Sequence, residues 1–218
     1  GGVGKTTLSG NIASLVSESH RVVLVDCDPQ GNSSSWFLTD TPAHELGDVL
    51  QGTVTVDQTL VPVSANLSIL PTFSLDGVLK QYAETRLNDE PFIFEELVQE
   101  LSSLGFDLAI FALAPGMSRL EKSVLLAMDE VVVPLTPEYF SVDGITIFNN
   151  ELRKLNKNFR RHREFVAALE NLDYELYLVP QDARLAESQI RHQAASEYDR
   201  RTKAIPELRR LADALVSG

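Results

Sequence analysis

Seven residues at the start of the chain, Gly1, Gly2, Val3, Gly4, Lys5, Thr6 and Thr7, have the types and the spacing to hold a phosphate group. A glycine-rich turn lets several backbone N–H groups approach an anion without interference from Cβ atoms. A helix opening at Lys5 would point the positive end of its dipole at the same anion. Lys5 then reaches β- and γ-phosphates, and the Thr6 hydroxyl takes one position around Mg2+. The ordinary alternative is a glycine-rich turn followed by a chance Lys-Thr. It does not account for Gly-Lys-Thr-Thr opening directly onto an amphipathic helix.

The second constellation is "VDCDPQGN" at 25–32, which ends the apolar run "RVVLVD" at 21–26. Taken alone, Asp-Pro-Gln-Gly is a turn signal. Placed after a buried strand and one helix beyond the phosphate loop, it gains a use. Ligands of an open α/β sheet sit beyond the carboxyl ends of its strands, so Asp26 and Asp28 face the crevice of the phosphate loop. A carboxylate there can hold the waters of Mg2+ or orient an attacking water. Cys27, between the two, reads as a small core residue.

The elements that must position these residues alternate between helical and strand patterns, the mark of a mostly parallel sheet flanked by helices on both faces. The spacing predicts helices at 6–18, near 46–51 and 74–85, through Phe94, Leu97, Leu101 and Leu104, at 118–128, and through Ile145, Phe148, Leu152 and Leu155. Further helices are expected at 163–171, 183–196 and 204–216, and strands at 21–26, 67–70, 107–113, 130–136 and 174–180. The chain begins inside its phosphate motif, so the strand that feeds such a motif is expected to be absent. Residues 158–162 offer no apolar run between two helices, so either the two helices follow one another directly or a second strand is missing there; loss of the strand is the favoured reading. No repeat or linker interrupts the pattern, and one domain spanning 1–218 is the simplest reading.

Composition narrows the class. The chain has 218 residues, 44% of them hydrophobic, enough for a substantial α/β core. No apolar run of membrane-spanning length occurs and the N-terminus is not that of a signal peptide, so a cytoplasmic protein is expected. One cysteine excludes an internal disulfide framework. The four histidines, His20, His44, His162 and His192, have no metal-ligand spacing and read as surface or capping residues. The net charge of −12 is uneven: −14 over 1–150 and +2 over 151–218. Six basic residues and no acidic one lie between Arg153 and Arg163. The ordinary reading is a solvated helix face; with Arg200, Arg201 and Lys203 it could also form a stripe for non-specific DNA binding.

"GGVGKTT" followed by "VDCDPQGNSS" resembles the phosphate loop and switch I motifs of the ParA/MinD (Soj-like) ATPases, nearest to the ParA partition branch. "LTPEYFSVDGI" (135–145), "VPQDARLAESQ" (179–189) and "EYDRRTKAIPEL" (197–208) are similar to later landmarks of that family, in order. The resemblance implies a P-loop NTPase fold, ATP and Mg2+ as cofactors, and an ATP-state homodimer with slow hydrolysis. It also implies a ParB-like centromere-binding partner and a cytoplasmic, nucleoid-associated setting. It assigns nucleotide binding to Gly1, Gly2, Val3, Gly4, Lys5, Thr6 and Thr7, and the metal shell to Thr6 and Asp28. It gives catalysis to Lys5 and Asp28, makes Asp26 the structural companion of Asp28, and places Pro180 and Asp182 by the adenine. A turn-forming role for those last two is the other reading.

Three departures bear on activity. The family's signature lysine would precede Gly1. In "FDLAIFALAPGMS" (106–118) Ala112 stands where the family's Walker B strand ends in Asp, and alanine accepts no hydrogen bond from a metal-bound water. Asp107 sits at the other end of that strand. The adenine-recognising Asn that follows the missing strand has no clear counterpart in Asn156 or Asn158. Two alternatives therefore stand beside the partition reading. One is a MinD-like membrane switch using the stripe Ile205, Leu208, Leu211 and Leu215, although its polar face is not polybasic. The other is a non-catalytic scaffold that holds ATP, favoured by Ala112.

Overall fold

Val22–Cys27 (β1) has five apolar residues out of six, three of them valine, and every position is buried. Such a run suits a strand covered on both faces, and β1 occupies the middle of the sheet. In this computed structural model, which describes residues 3–73, 77–135, 140–159, 175 and 177–217, the strand order is β2-β3-β1-β4. Leu67–Leu70 (β3) and Leu108–Leu113 (β4) flank β1 in parallel. The two-residue β2, Val61–Pro62, adds an antiparallel edge.

Alternation along β1 divides the core into two layers. Val23, Val25 and Cys27 pack with Leu46, Leu79, Tyr82, Phe94, Leu97, Leu101, Leu120 and Val124. These come from α3 (Leu46–Leu50), α5 (Val78–Thr85), α6 (Ile93–Ser103) and α7 (Arg119–Ala127). Val22 and Leu24 face the other way, onto Ile12, Leu15 and Val16 of α1 (Lys5–Val16). Helix α11 (Ile205–Ser217) closes that layer with Leu208 and Leu211 buried and Leu215 packed beside them. The apolar stripe considered for a membrane thus lies against the core. No helix among the described residues is long and apolar enough to cross a bilayer. The lone cysteine is a fully buried core residue, as its position between polar neighbours implied.

The 20-residue α8 (Phe140–Phe159) and four shorter helices complete the described chain: α2 (Asn32–Phe37), α4 (Val56–Thr59), α9 (Ala183–Ile190) and α10 (Ala195–Tyr198). The helix expected over 183–196 is two helices, divided where His192 adopts φ 53°. Helix α2 and α4 had no periodic signal, being only six and four residues long.

Two expected strands, 130–136 and 174–180, are not formed among their described residues. Residues 130–135, and 175 and 177–180 within 174–180, join no sheet. A strand exists only through a neighbour's ladder, and β4 has β1 on one edge and no described strand on the other. Val131, Val132, Leu135 and Leu178 are accordingly exposed despite their strand-like composition. The expected helix at 163–171 and most of the 158–162 segment lie outside the described residues, as does the second half of the basic run Arg153 to Arg163. Helix α8 continues through Phe159.

Among the described glycines, Gly10 of α1 leaves the least room for a Cβ. A Cβ there would lie 2.2 Å from the Trp36 ring. The indole cannot swing aside freely, because it stacks on Phe37 and its Nε1–H donates to the Gln193 carbonyl at 3.0 Å. Gly10→Ala is therefore expected to destabilise the fold by about 1–3 kcal/mol through overpacking. Denaturant midpoints measure it, and a Trp36→Leu background should remove most of the penalty.

Candidate functional site

A 12-residue helix rises about 18 Å and a six-residue strand about 20 Å, so α1 and β1 have matching lengths. The five residues 17–21 join them, and α1 packs back along the sheet. The N-terminus of α1 therefore lies at the carboxyl end of β1. Gly4 caps α1 in the left-handed conformation, with φ 86°, and its carbonyl accepts from the Leu8 N–H at 2.8 Å. Lys5, Thr6 and Thr7 form the first turn, where helix N–H groups have no partner within the helix. Val3 precedes the cap; Gly1 and Gly2 lie outside the described residues.

At the end of β1 the two aspartates are treated differently. Asp26 is fully buried. Its Oδ2 accepts from the Ser34 N–H and the Ser34 hydroxyl, both at 2.7 Å, and its Oδ1 accepts from the Asp28 N–H at 3.2 Å. Burial pushes its carboxyl up to about 6, and those three donors partly hold it down. The Asp26 carbonyl accepts from Thr72 Oγ1 at 2.7 Å, and Ser34 Oγ accepts from the Thr72 N–H at 2.9 Å. The end of β1, the start of α2 and the segment after β3 are thereby one hydrogen-bonded unit.

Asp28 begins the turn that this unit fixes. Its carbonyl accepts from the Gly31 N–H at 2.8 Å, and its Oδ1 from the Gln30 N–H at 2.9 Å. Gly31 has φ 62°, and a Cβ there would lie 2.5 Å from the Thr72 carbonyl oxygen, so only glycine closes this turn. Asp28 retains an oxygen beyond this turn bond. Among the described residues no group of three or more His, Cys, Asp or Glu could hold a metal. The Thr6 hydroxyl and the Asp28 carboxylate are instead hard oxygen donors of the kind that supplement phosphate and water around Mg2+.

Ala112 pairs in register with Asp26 across the β1–β4 ladder. It is buried and packs in the layer with α1. A carboxylate at this position would lie next to the Asp26 carboxyl. Asp107 is at the other end of β4, where its Oδ2 accepts from the Arg21 N–H at 2.8 Å.

A third group of contacts connects the C-terminal segment to the phosphate loop. Gln189 Nε2 donates to Thr7 Oγ1 at 2.7 Å. Asn11 Nδ2 donates to the Thr7 carbonyl at 2.8 Å, and Asn11 Oδ1 accepts from the Ala195 N–H at 2.7 Å. His192 Nδ1 meets the Trp36 carbonyl at 2.8 Å, beside the Trp36–Gln193 bond. Asp182 caps α9, accepting from the Arg184 N–H at 3.1 Å, and accepts from the Lys203 N–H at 2.7 Å. Those backbone donors, with Arg184, hold its carboxyl below the usual range. Pro180 is exposed just upstream.

A family model described as an AAA domain matches residues 1–165. A protein of Borreliella burgdorferi, "Uncharacterized protein BBD21", is 39% identical over 99% of this chain and 95% of its own length. The sporulation initiation inhibitor protein Soj of Bacillus subtilis is 28% identical over 72% of this chain and 63% of its own. Among solved structures, the septum site-determining protein MinD of Pyrococcus horikoshii, complexed with Mg-ADP, superposes with a TM-score of 0.77. It is 22% identical, covering 99% of this chain and 91% of that one. The chain belongs to the ParA/MinD-type AAA-domain family.

For a ParA/MinD-type protein the phosphate loop and the Asp-Pro-Gln-Gly turn were legible from their residues. Ser34 and Thr72 were not. Neither has a spacing that marks it, and their role appears only when α2 and the end of β3 meet Asp26. Gln189, His192 and Gln193 were equally silent, since their partners lie 156 to 182 positions away.

Ser34→Ala removes a donor to Asp26 and an acceptor for Thr72, and is expected to cost about 2 kcal/mol of stability. Loss of the donor raises the native Asp26 pKa further above about 6, while the unfolded value stays near 3.9. The deficit should therefore be smallest below about pH 4 and grow as pH rises through 6. Chemical denaturation at two pH values measures it. A pH-independent difference would show that Ser34 does not support the ionised carboxylate.

Proposed function

We propose that this chain is an ATP-binding nucleotide switch of the ParA partition type, forming a homodimer in its ATP state and hydrolysing ATP slowly to ADP and phosphate. The observation that supports it is the placement of Lys5, Thr6 and Thr7 at the start of α1, at the carboxyl end of the strand that presents Asp28. Lys5 contributes a charge-assisted contact to the β- and γ-phosphates, and the α1 N–H groups contribute the rest of the anion cradle. Mg2+, when bound, neutralises phosphate oxygens and orders water. Thr6 and Asp28 would hold it, and Asp28 would orient the attacking water. Likeness to the relatives named chromosome-partitioning ATPase Soj in Treponema pallidum and Thermus thermophilus supports a role in chromosome or plasmid partitioning, and the resemblance of the motifs implies a ParB-like partner. The MinD-like membrane alternative loses support because the apolar side of α11 is covered by α1. Arg200 and Lys203 are exposed, and DNA would meet the chain there through salt-sensitive contacts.

The scaffold reading keeps one specific support, Ala112. Phosphoryl transfer is mostly positioning and charge stabilisation, so a missing metal-shell carboxylate slows the chemistry more than it weakens binding. Holding ATP with little turnover is the outcome that Ala112 favours in the protein as it stands.

Two measurements test these statements. Lys5→Ala is expected to weaken Mg-ATP binding at least about tenfold in calorimetry, with the fold intact by circular dichroism. Unchanged affinity would remove the nucleotide reading. Ala112→Asp is expected to raise Mg2+-dependent turnover at least about tenfold with much less change in affinity. It should also lower the stability of the nucleotide-free protein, because the new carboxylate lies against Asp26. Flat turnover would mean that this position is not the missing part of the metal shell.

A further inference from the structure

The segment 183–198 grips α1 and α2 together. Ser188, Ala194 and Ala195 are buried, and Asn11 bonds both to the Ala195 N–H and to the Thr7 carbonyl. Across α1, Trp36 covers Gly10 and is held by Gln193 and His192. Gln189 is therefore a half-buried side chain on a helix fixed at its far end, and among the described residues its amide bonds to the Thr7 hydroxyl, 2.7 Å away.

A threonine hydroxyl has one proton and two lone pairs. With the Gln189 N–H occupying a lone pair, the oxygen is already an acceptor and its proton points elsewhere. Among the described residues no acceptor takes that proton, whereas nearby Ser9 gives its own to the Thr6 carbonyl at 3.1 Å. A hydroxyl with its acceptor side satisfied and its proton free, in the first turn of a helix, is a donor prepared for an anion.

We propose that Gln189 is a positioning residue of the phosphate loop, which orients the Thr7 hydroxyl so that its proton is offered to a nucleotide phosphate. This rests on the nucleotide reading above and adds a residue 182 positions away from the loop it serves. The inference has a polarity that packing alone would lack. An amide N–H at this place leaves the Thr7 proton free. A carboxylate of the same shape would capture that proton and put negative charge beside the phosphate.

The test is Mg-ATP calorimetry on the parent, Gln189→Ala, Gln189→Glu, Thr7→Val, the double variant Gln189→Ala/Thr7→Val, and Lys5→Ala. Emission of Trp36 and circular dichroism report whether the α1–α2–α9 contacts persist. Gln189→Ala should weaken binding about fivefold, and the isosteric Gln189→Glu more strongly, by about thirtyfold. In the Thr7→Val background, Gln189→Ala should change affinity less than about twofold, because its only route to the anion is gone. Equal losses in both backgrounds, or a Gln189→Glu variant that binds like the parent, would overturn the proposal and leave Gln189 a packing residue. Binding that depends on Lys5 but ignores Gln189 overturns this inference alone. A parent that does not bind, indistinguishable from Lys5→Ala, overturns the nucleotide reading and this inference with it.

Discussion

The Asp26 carboxylate is the constraint on which the site is built. It lies at the end of the most buried strand, in surroundings that disfavour its charge, and it is satisfied by an N–H and O–H from Ser34 and an N–H from Asp28. A buried carboxylate that loses such a donor costs far more than the bond contributes on average, so the groups around it have little freedom. Ser34 must stay at the start of α2, Thr72 must stay after β3, and the Asp28–Gly31 turn must leave β1 at one angle. The loop that presents Asp28 is therefore set by a network beneath it, and Asp28 itself contributes only turn contacts.

That constraint reaches the other side of the molecule through α2. With its start fixed on Asp26, α2 delivers Trp36 onto Gly10 of α1, where glycine alone leaves room for the ring. The indole and its carbonyl then bond to Gln193 and His192, and the left-handed residue His192 marks where helix 183–196 had to break to make those contacts. A phosphate loop at the head of α1 and a switch-like turn at the end of β1 are thus connected by packed side chains as well as by the strand itself.

Much of this could be read from residues. The phosphate loop, the turn after β1, the parallel α/β pattern and the burial of Cys27 follow from local chemistry and periodicity, which act over a few positions. What stayed hidden depended on partners far along the chain. Val131 to Leu135 have strand composition, but composition does not provide a neighbouring ladder, and the segment stays unpaired with Val131, Val132 and Leu135 exposed. The C-terminal apolar stripe suited a core better than a lipid surface, its polar face being mixed in charge, but its sequence names no element for it to cover. Only the position of α1 decides between them. Ala112 was noticed as a departure from a family pattern, while its alignment beside Asp26 needed the register of two strands.

If the first turn of α1 and the Asp28–Gly31 turn serve one ligand, both must respond when it binds. Amide hydrogen exchange resolved to single residues, with and without Mg-ATP, reads that response directly. Slowed exchange is expected together at Lys5, Thr6 and Thr7 and at Gln30 and Gly31, with Ser34 already slow in the free protein because its N–H is buried on Asp26. Protection confined to the first turn of α1, with the Asp28–Gly31 turn unchanged, would contradict a shared site.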